Sequence, residues 1–393
     1  MIYDVIIIGA GPGGSVLAYR LAKLGLRVLI IEKAQLPRYK ACGGGLTFKA
    51  LHNLPYDPSP AIELQAAGGI VLYKGQTLLK IDTARPIAWL VMRTRFDYFL
   101  AQQAVEGGAT LHHGLVASGF EFQDGETTVV TPNGKYSGRL LVGADGVYSA
   151  VARAAGLLNG REAGIALEVE LAVPEAALAE HGPYAAFDFG ALPYGYGWIF
   201  PKREHLSVGV MHARPGKFAG IRESLQTFID SYAVLRESRI LNLRGHYLPL
   251  GGRVAALHRG RTLLVGDAAN LADPWLGEGL YYAIQSATLA AEVIARAFEE
   301  GSLDLSAYTR RVNREIVKDF SYARIFAWLV YHLPRLGTCL MQKSERLQDG
   351  IFSVMRGDCT FEQLDWGLAR GLPRILIQAL KPGSQIPAYR CQP

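Results

Sequence analysis

The stretch Tyr3-Asp4-Val5-Ile6-Ile7-Ile8-Gly9-Ala10-Gly11-Pro12-Gly13-Gly14 stands at the start of a 393-residue chain. Its first half is apolar and β-branched, the pattern of a strand buried in a parallel sheet. Ser15 to Gly25 reads as a helix closed by a glycine cap. Arg27-Val28-Leu29-Ile30-Ile31 reads as a second strand, with Glu32 and Lys33 at its end. Gly9 permits the tight turn, Gly11 lets the backbone approach a pyrophosphate, and Gly14 lets helix and strand pack closely. Pro12 and Gly13 open the helix, whose free N–H groups and positive dipole end suit phosphates. Glu32 can accept hydrogen bonds from ribose hydroxyls. Together these features predict a dinucleotide cradle.

A second turn lies far along the chain. Arg261-Thr262-Leu263-Leu264-Val265 reads as a strand running into Gly266-Asp267-Ala268-Ala269. The Asp267 carboxylate is placed to accept hydrogen bonds from a ribityl chain, although such an Asp also caps helices. Asp273-Pro274-Trp275-Leu276-Gly277-Glu278-Gly279-Leu280 then leads into a long helix over 281–298. Helix-start N–H groups beside Gly277 and Gly279 would favour an anionic reduced flavin. The two turns together predict bound FAD.

Composition narrows the remaining classes. Hydrophobic residues make up 50% and charged residues 19%, enough for a large core in two domains or one elaborate domain. Cys42, Cys339, Cys359 and Cys391 form no CxxC pair and no zinc spacing, so no metal is expected, and a reducing, cytoplasmic setting is. The first strand begins at residue 2, leaving no room for a signal peptide. The longest apolar run, Ile325 to Leu333 with His332 inside it, is too short to span a bilayer. The net charge is +6, and residues 301–393 hold 13 Lys and Arg against 8 Asp and Glu. Phe326, Trp328, Leu329, Tyr331 and Leu333 are interspersed there. That mixture suits a peripheral dock on an anionic membrane surface, and equally a helical cap with a solvated basic face. The basic residues are scattered and no nucleic-acid motif is present, so nucleic acid is not an expected partner.

The expected fold class is α/β: a Rossmann-like FAD-binding domain interrupted by an antiparallel β-sheet substrate domain, with a C-terminal helical region. The FAD-binding domain is expected in pieces over 1–61, 93–158 and 256–302. The alternating segments 62–92 and 159–255 are expected to form the substrate sheet. Residues 303–393 read as helical. No second GxGxxG follows a strand, so the electron donor is expected to bind transiently, as NAD(P)H or as a protein such as reduced ferredoxin.

Gly9/Gly11/Gly14, Gly143-Ala144-Asp145-Gly146, Gly266-Asp267 and Pro274/Gly277/Gly279 together resemble the para-hydroxybenzoate hydroxylase-type flavoproteins. That superfamily includes aromatic hydroxylases, flavin halogenases, lycopene cyclases and geranylgeranyl reductases. Two further motifs are similar to signatures of the geranylgeranyl reductases. One is Pro37-Arg38-Tyr39-Lys40-Ala41-Cys42-Gly43-Gly44-Gly45-Leu46, a K-x-C-G-G-G-type loop. The other is Pro193-Tyr194-Gly195-Tyr196-Gly197-Trp198-Ile199-Phe200-Pro201, a P-x-x-Y-x-W-x-F-P strand. Arg93-Thr94-Arg95-Phe96-Asp97 resembles the family's R-x-x-F-D segment, which implies that Arg93 contacts the flavin. The resemblance also implies cofactor contacts from Arg38, Cys42, Gly44, Asp145, Gly146, Pro274 and Leu280. The activity it implies is saturation of isolated C=C bonds in a prenyl or geranylgeranyl chain by reduced FAD. One departure is Ala152, in Ser149-Ala150-Val151-Ala152-Arg153, where the superfamily's S-x-V-R turn has arginine.

In a strand, Tyr194, Tyr196, Trp198 and Phe200 share one face about 7 Å apart, an apolar wall able to hold an alkene. The bracketing prolines predict an edge or cavity-lining position. Hydride addition to an alkene needs a proton at the other carbon, and Cys42, Tyr196 or a held water are the candidate sources. Two alternatives stand beside the reductase reading: an FAD-dependent monooxygenase or halogenase, and a non-catalytic flavin- or lipid-binding protein. Halogenases carry W-x-W-x-I-P at a similar place, where this chain has Tyr196 first and Phe200 fifth.

Overall fold

The computed structural model describes residues 2–123, 125–157, 163–214, 216, 218–251 and 256–364. The opening run Ile2–Ile8 is a central strand of an eight-stranded sheet. Val28–Glu32 and Gly134–Gly143 flank it in parallel, and Thr110–His113 and Thr262–Leu264 extend the two sides. Helix Pro12–Lys23 packs against helices Arg93–Glu106 and Leu280–Glu299 over this sheet. Val5 to Ile7, Leu29 and Ile30 are fully buried, which is why these strands are apolar on both faces. Parallel strands bring their carboxyl ends to one edge, so the turns at Gly9, Glu32, Gly143 and Gly266 converge there.

Two glycines of the first turn serve packing. A Cβ at Gly9, whose φ is 105°, would strike the Ala144 carbonyl, and one at Gly14 would strike the Gly9 carbonyl oxygen. A Cβ at Gly11 would meet only Arg38 Nη2, at 3.9 Å. The protein leaves room there.

A seven-stranded sheet runs Arg239–Leu248, Gly164–Ala172, Leu206–His212, Gly195–Pro201, Tyr184–Asp188, Gly68–Tyr73, Gln76–Asp82. Every pair is antiparallel except Tyr184–Asp188 with Gly68–Tyr73. Those two strands lie far apart in the chain, so no hairpin fixes their direction. Ile62–Ala66 and Ala88–Val91 do not join this sheet; Ala88–Val91 is the middle strand of a separate three-stranded one, flanked by Gly45–Thr47 and Ile62–Ala66. Helix Ile221–Asp230 covers one face, packing Phe228 with Ile199, Val208 and Val210. The opposite face carries Tyr196, Trp198 and Met211.

Two details of the expected aromatic strand change. Gly195–Pro201 is central in its sheet, not at an edge; Pro201 is tolerated as its last residue. Tyr194 precedes the strand in a left-handed conformation, φ 53°. That turn sends its ring to His332 and Arg214 and away from the other rings.

Helices Lys318–His332, Pro334–Lys343 and Glu345–Arg356 pack beside the sheet's cleft face, while Ser306–Val312 packs against Leu280–Glu299 in the core of the parallel sheet. Residues 365–393 of the expected helical region, with Cys391, lie outside the described residues, as do the expected boundaries at 158/159 and 255/256.

Candidate functional site

The carboxyl edge of the parallel sheet and the Tyr196 face of the second sheet enclose a cleft of about 660 Å³. It brings together Gly9, Gly11, Pro12, Gly13, Glu32, Lys33, Arg38, Cys42, Gly44, Arg93, Asp145, Gly146, Gly266, Asp267, Gly277, Gly279 and Leu280. Tyr196, Trp198 and Phe200 line its other wall. Gly14, Pro274 and Tyr194 are not in the lining. Gly14 sits behind the turn, and Pro274 is buried in its own loop.

At the nucleotide end, Glu32 is held by its neighbours. Its Oε2 accepts from Ala10 N at 2.8 Å and its Oε1 from Ala34 N at 2.9 Å. Asp145 Oδ2 accepts from Ala150 N, while its buried Oδ1 has no partner among the described residues. Arg153 lines the cleft near the departure at Ala152, its Nη1 donating to Tyr148 O. Asp267 faces Lys40, 3.8 Å away, and Lys40 lies 3.4 Å from His246 Nε2. Burial and Arg93 push the Lys40 pKa down, and burial and Lys40 push His246 down to about 4.

In the middle, helix Arg93–Glu106 fixes a charged triad. Arg93 donates from Nε and Nη2 to the two oxygens of Asp97, at 2.6 and 2.8 Å, and Arg38 Nη1 adds a third bond at 3.0 Å. Burial works against the Arg93 charge, but Asp97 and the adjacent Cys42 outweigh it and hold its pKa up. The Cys42 sulfur also accepts from Gly44 N at 3.4 Å. Glu278 ties this loop to the long helix, accepting from Thr47 Oγ1 and pairing with Lys49 Nζ at 2.7 Å. Asp273 shapes the turn before that helix by accepting from the N–H groups of Trp275, Leu276 and Glu278. Burial and Glu278 raise its pKa to about 6.

The aromatic wall faces the glycine run. Gly43 lies against Trp198 and Phe200, so near that a Cβ would come within 2.8 Å of the indole nitrogen. That nitrogen is buried and has no partner among the described residues. Tyr196 donates to Leu276 O at 2.6 Å, and burial and Asp273 raise its pKa. The ring the sequence reading missed is Phe187, opposite Trp198 on the next strand and 5.4 Å from Phe200 between ring centres.

Also missed was a buried polar cluster behind the wall. Glu168 and Glu170 alternate in the apolar strand Gly164–Ala172 and therefore share a face. Tyr39 donates toward both at 3.3 Å, Ser207 donates to Glu168 at 3.1 Å, and His205 Nε2 lies 3.0 Å from Glu170. Buried Lys202 stands between this pair and the Cys42 loop, donating to Gly43 O at 2.7 Å. Burial and Glu170 raise the Glu168 pKa; the His205 hydrogen bond and Lys202 outweigh burial and hold Glu170 down. The available signal was two acids at period two inside an apolar strand.

The residues fit FAD. The open space at Gly11, the orphaned Asp145 oxygen and the carboxylates of Glu32 and Asp267 at the cleft wall match a dinucleotide's phosphates and hydroxyls. Among the described residues no cluster of three or more His, Cys, Asp or Glu is placed to hold a metal, and no helix is long and apolar enough to cross a membrane.

Comparison with known proteins agrees. Residues 2–185 match the family model described as FAD binding domain. Digeranylgeranylglycerophospholipid reductase 2 of Methanothermobacter thermautotrophicus is 31% identical over 337 residues, 81% of this chain and 85% of that protein. Menaquinone reductase of Mycolicibacterium smegmatis is 30% identical over 403 residues, 92% and 93% of the two. A geranylgeranyl bacteriochlorophyll reductase-like protein of Thermoplasma acidophilum superposes with a TM-score of 0.78 at 23% identity, covering 96% and 98%. The L111Y mutant of halogenase PltM in complex with FAD gives 0.67 at 18%, covering 93% and 86%. These two likenesses are of fold alone.

Proposed function

Because this chain belongs to the geranylgeranyl reductase family of FAD-dependent oxidoreductases, we propose that it saturates C=C bonds of a prenyl chain attached to a lipid. The observation that carries this is the Tyr196/Trp198/Phe200 wall, which packs against the Gly43–Gly45 run and lines one cleft with Cys42. When bound, FAD in its reduced form supplies the hydride. Gly9 to Gly13, Glu32, Arg38, Arg93, Asp145 and Asp267 would hold it. The rings exclude water and orient an apolar chain. Phe187, Trp275, Leu276 and Met355 also line a second, largely apolar cavity of about 130 Å³ beneath the C-terminal helices, so the two spaces share a wall. Relatives named for glycerophospholipid and menaquinone reduction support a membrane lipid as the substrate class.

The same reading supplies a membrane contact. Ile325, Trp328, Leu333 and Leu336 are exposed near Arg335, and Leu336 also lines the apolar cavity. The protein would lie on an anionic surface and draw its substrate from it, with NAD(P)H or a reduced ferredoxin as transient donor. The test is anaerobic turnover with dithionite-reduced protein and a panel of geranylgeranyl glycerolipids and menaquinone, read by product mass. Mass gains of two hydrogens per bond without oxygen support the reading. An absolute need for oxygen would place the chain with the monooxygenases and halogenases, and no turnover would leave a flavin- or lipid-binding protein.

A further inference from the structure

We infer that the Glu168–Glu170 pair, with Tyr39, is a proton store that feeds the cleft during alkene reduction. The inference rests on the reductase reading above, and it begins with register. Trp198 lies opposite Gly209, and Gly209 opposite Glu168. Residues in one such row project to one face. Gly209 has no side chain, so the indole reaches over it toward Glu168. Glu168 and Tyr39 line the cleft, while Glu170, Lys202 and His205 stand behind them.

The pair holds a proton by its own geometry. Glu168 Oε1 and Glu170 Oε1 each lie 3.3 Å from the Tyr39 hydroxyl, which has one proton to donate, so two ionised carboxylates here would have to share a single donor. Lys202 compensates the single remaining charge, and like charges this close oppose a second ionisation. Groups facing Glu168 are Tyr39 from the cysteine loop, Ser207 from the neighbouring strand, Lys202 from the turn after Gly195–Pro201, and Glu170 from its own strand. Arg244, opposite it on the outer strand, is exposed. His205, with 17% of its side chain exposed, gives the pair its route to solvent.

The chemistry balances. One alkene carbon takes a hydride, with its electron pair, from the reduced cofactor. The other forms a C–H bond from the alkene π pair and the proton of Glu168. The O–H electron pair stays on the carboxylate, and a solvent proton entering by His205 and Glu170 restores the acid. Neither alternative donor is as free: the Tyr196 proton is engaged by Leu276 O, and Cys42 accepts from Gly44 N beside Arg93.

Infrared titration of the apoprotein in D₂O supplies a test independent of turnover. A protonated-carboxyl band should persist to neutral pH, and Glu168→Gln should remove it. With an accepted substrate, Glu168→Gln should slow reduction of the alkene roughly 100-fold with flavin content unchanged. Wild-type turnover should fall as pH rises through the raised Glu168 pKa, and the variant should lose that limb. Tyr39→Phe should show a smaller loss with the same altered profile. A wild-type protein with no such band, or a folded Glu168→Gln protein with wild-type rate and pH profile, overturns the inference. If Glu168→Gln does not fold, the wild-type band and Tyr39→Phe decide. Absence of turnover in the wild type with every lipid offered would instead count against the reductase reading, and the infrared arm would stand apart from it.

Discussion

The indole of Trp198 occupies the space that a side chain at Gly209 would need. The two residues face each other across adjacent strands, so a methyl group at 209 must push the ring out into the cleft. Overpacking of this kind costs about 1–3 kcal/mol. Gly209→Ala should therefore lower the melting temperature and raise KM for a prenyl lipid, with FAD content unchanged. An unaltered KM would show that the ring position does not matter to substrate.

The glycines of the first turn divide into two kinds, and substitution separates them. At Gly11 a side chain meets no protein backbone and enters the cleft, whereas at Gly14 it meets the Gly9 carbonyl oxygen. Gly11→Val should fold and lose FAD, seen as a colourless protein whose unfolding midpoint matches that of the wild-type apoprotein. Gly14→Ala should lower the midpoint itself. A yellow, fully loaded Gly11→Val protein would count against the cradle.

The sequence made the first turn legible because its spacing is local: strand, glycines, helix and Glu32 lie within one short segment, and each residue's demand is a backbone one. The cofactor and the α/β class follow from it. The wall was partly legible, since period two places Tyr196, Trp198 and Phe200 together. Tyr194 broke the pattern because its left-handed backbone ends the alternation. Phe187 was hidden because it reaches the cleft through strand register, and the Glu168–Glu170 pair showed only as two acids at period two in an apolar strand, with register alone setting Glu168 beside the wall.

Tyr196 sits in the wall with its hydroxyl committed to Leu276 O. Tyr196→Phe keeps the ring and orphans that carbonyl, a loss of about 1–3 kcal/mol at most. Turnover should fall only a few-fold, with unchanged flavin. A loss near 100-fold, the scale of a missing general acid, would make Tyr196 the proton source instead.

Asp97 binds Arg93 and Arg38 together, with its side chain 1% exposed. Asp97→Asn leaves the buried Arg93 guanidinium without its counter-charge, at a cost of about 3–5 kcal/mol. Denaturant unfolding should show that loss, accompanied by weaker FAD retention because both arginines line the cleft. Native stability in this variant would mean that the triad is electrostatically neutral to folding.

Cys42 presents its sulfur to the cleft from a loop whose following glycines lie against Trp198 and Phe200. Its partners, Gly44 N and Arg93, orient the sulfur and leave the loop backbone to Lys202. Cys42→Ala removes one sulfur from the wall facing the alkene and leaves the flavin-holding turns intact. The expected result is a modest fall in rate with a changed number of double bonds reduced, read by product mass, and full FAD content by absorbance. Cys42→Ser separates shape from proton supply, because the hydroxyl keeps the volume and a donor. If both variants lose about 100-fold or more, the thiol itself delivers the proton and Glu168 does not. If both match the wild type in rate and product, Cys42 has no part in the reaction and the loop acts through its glycines alone.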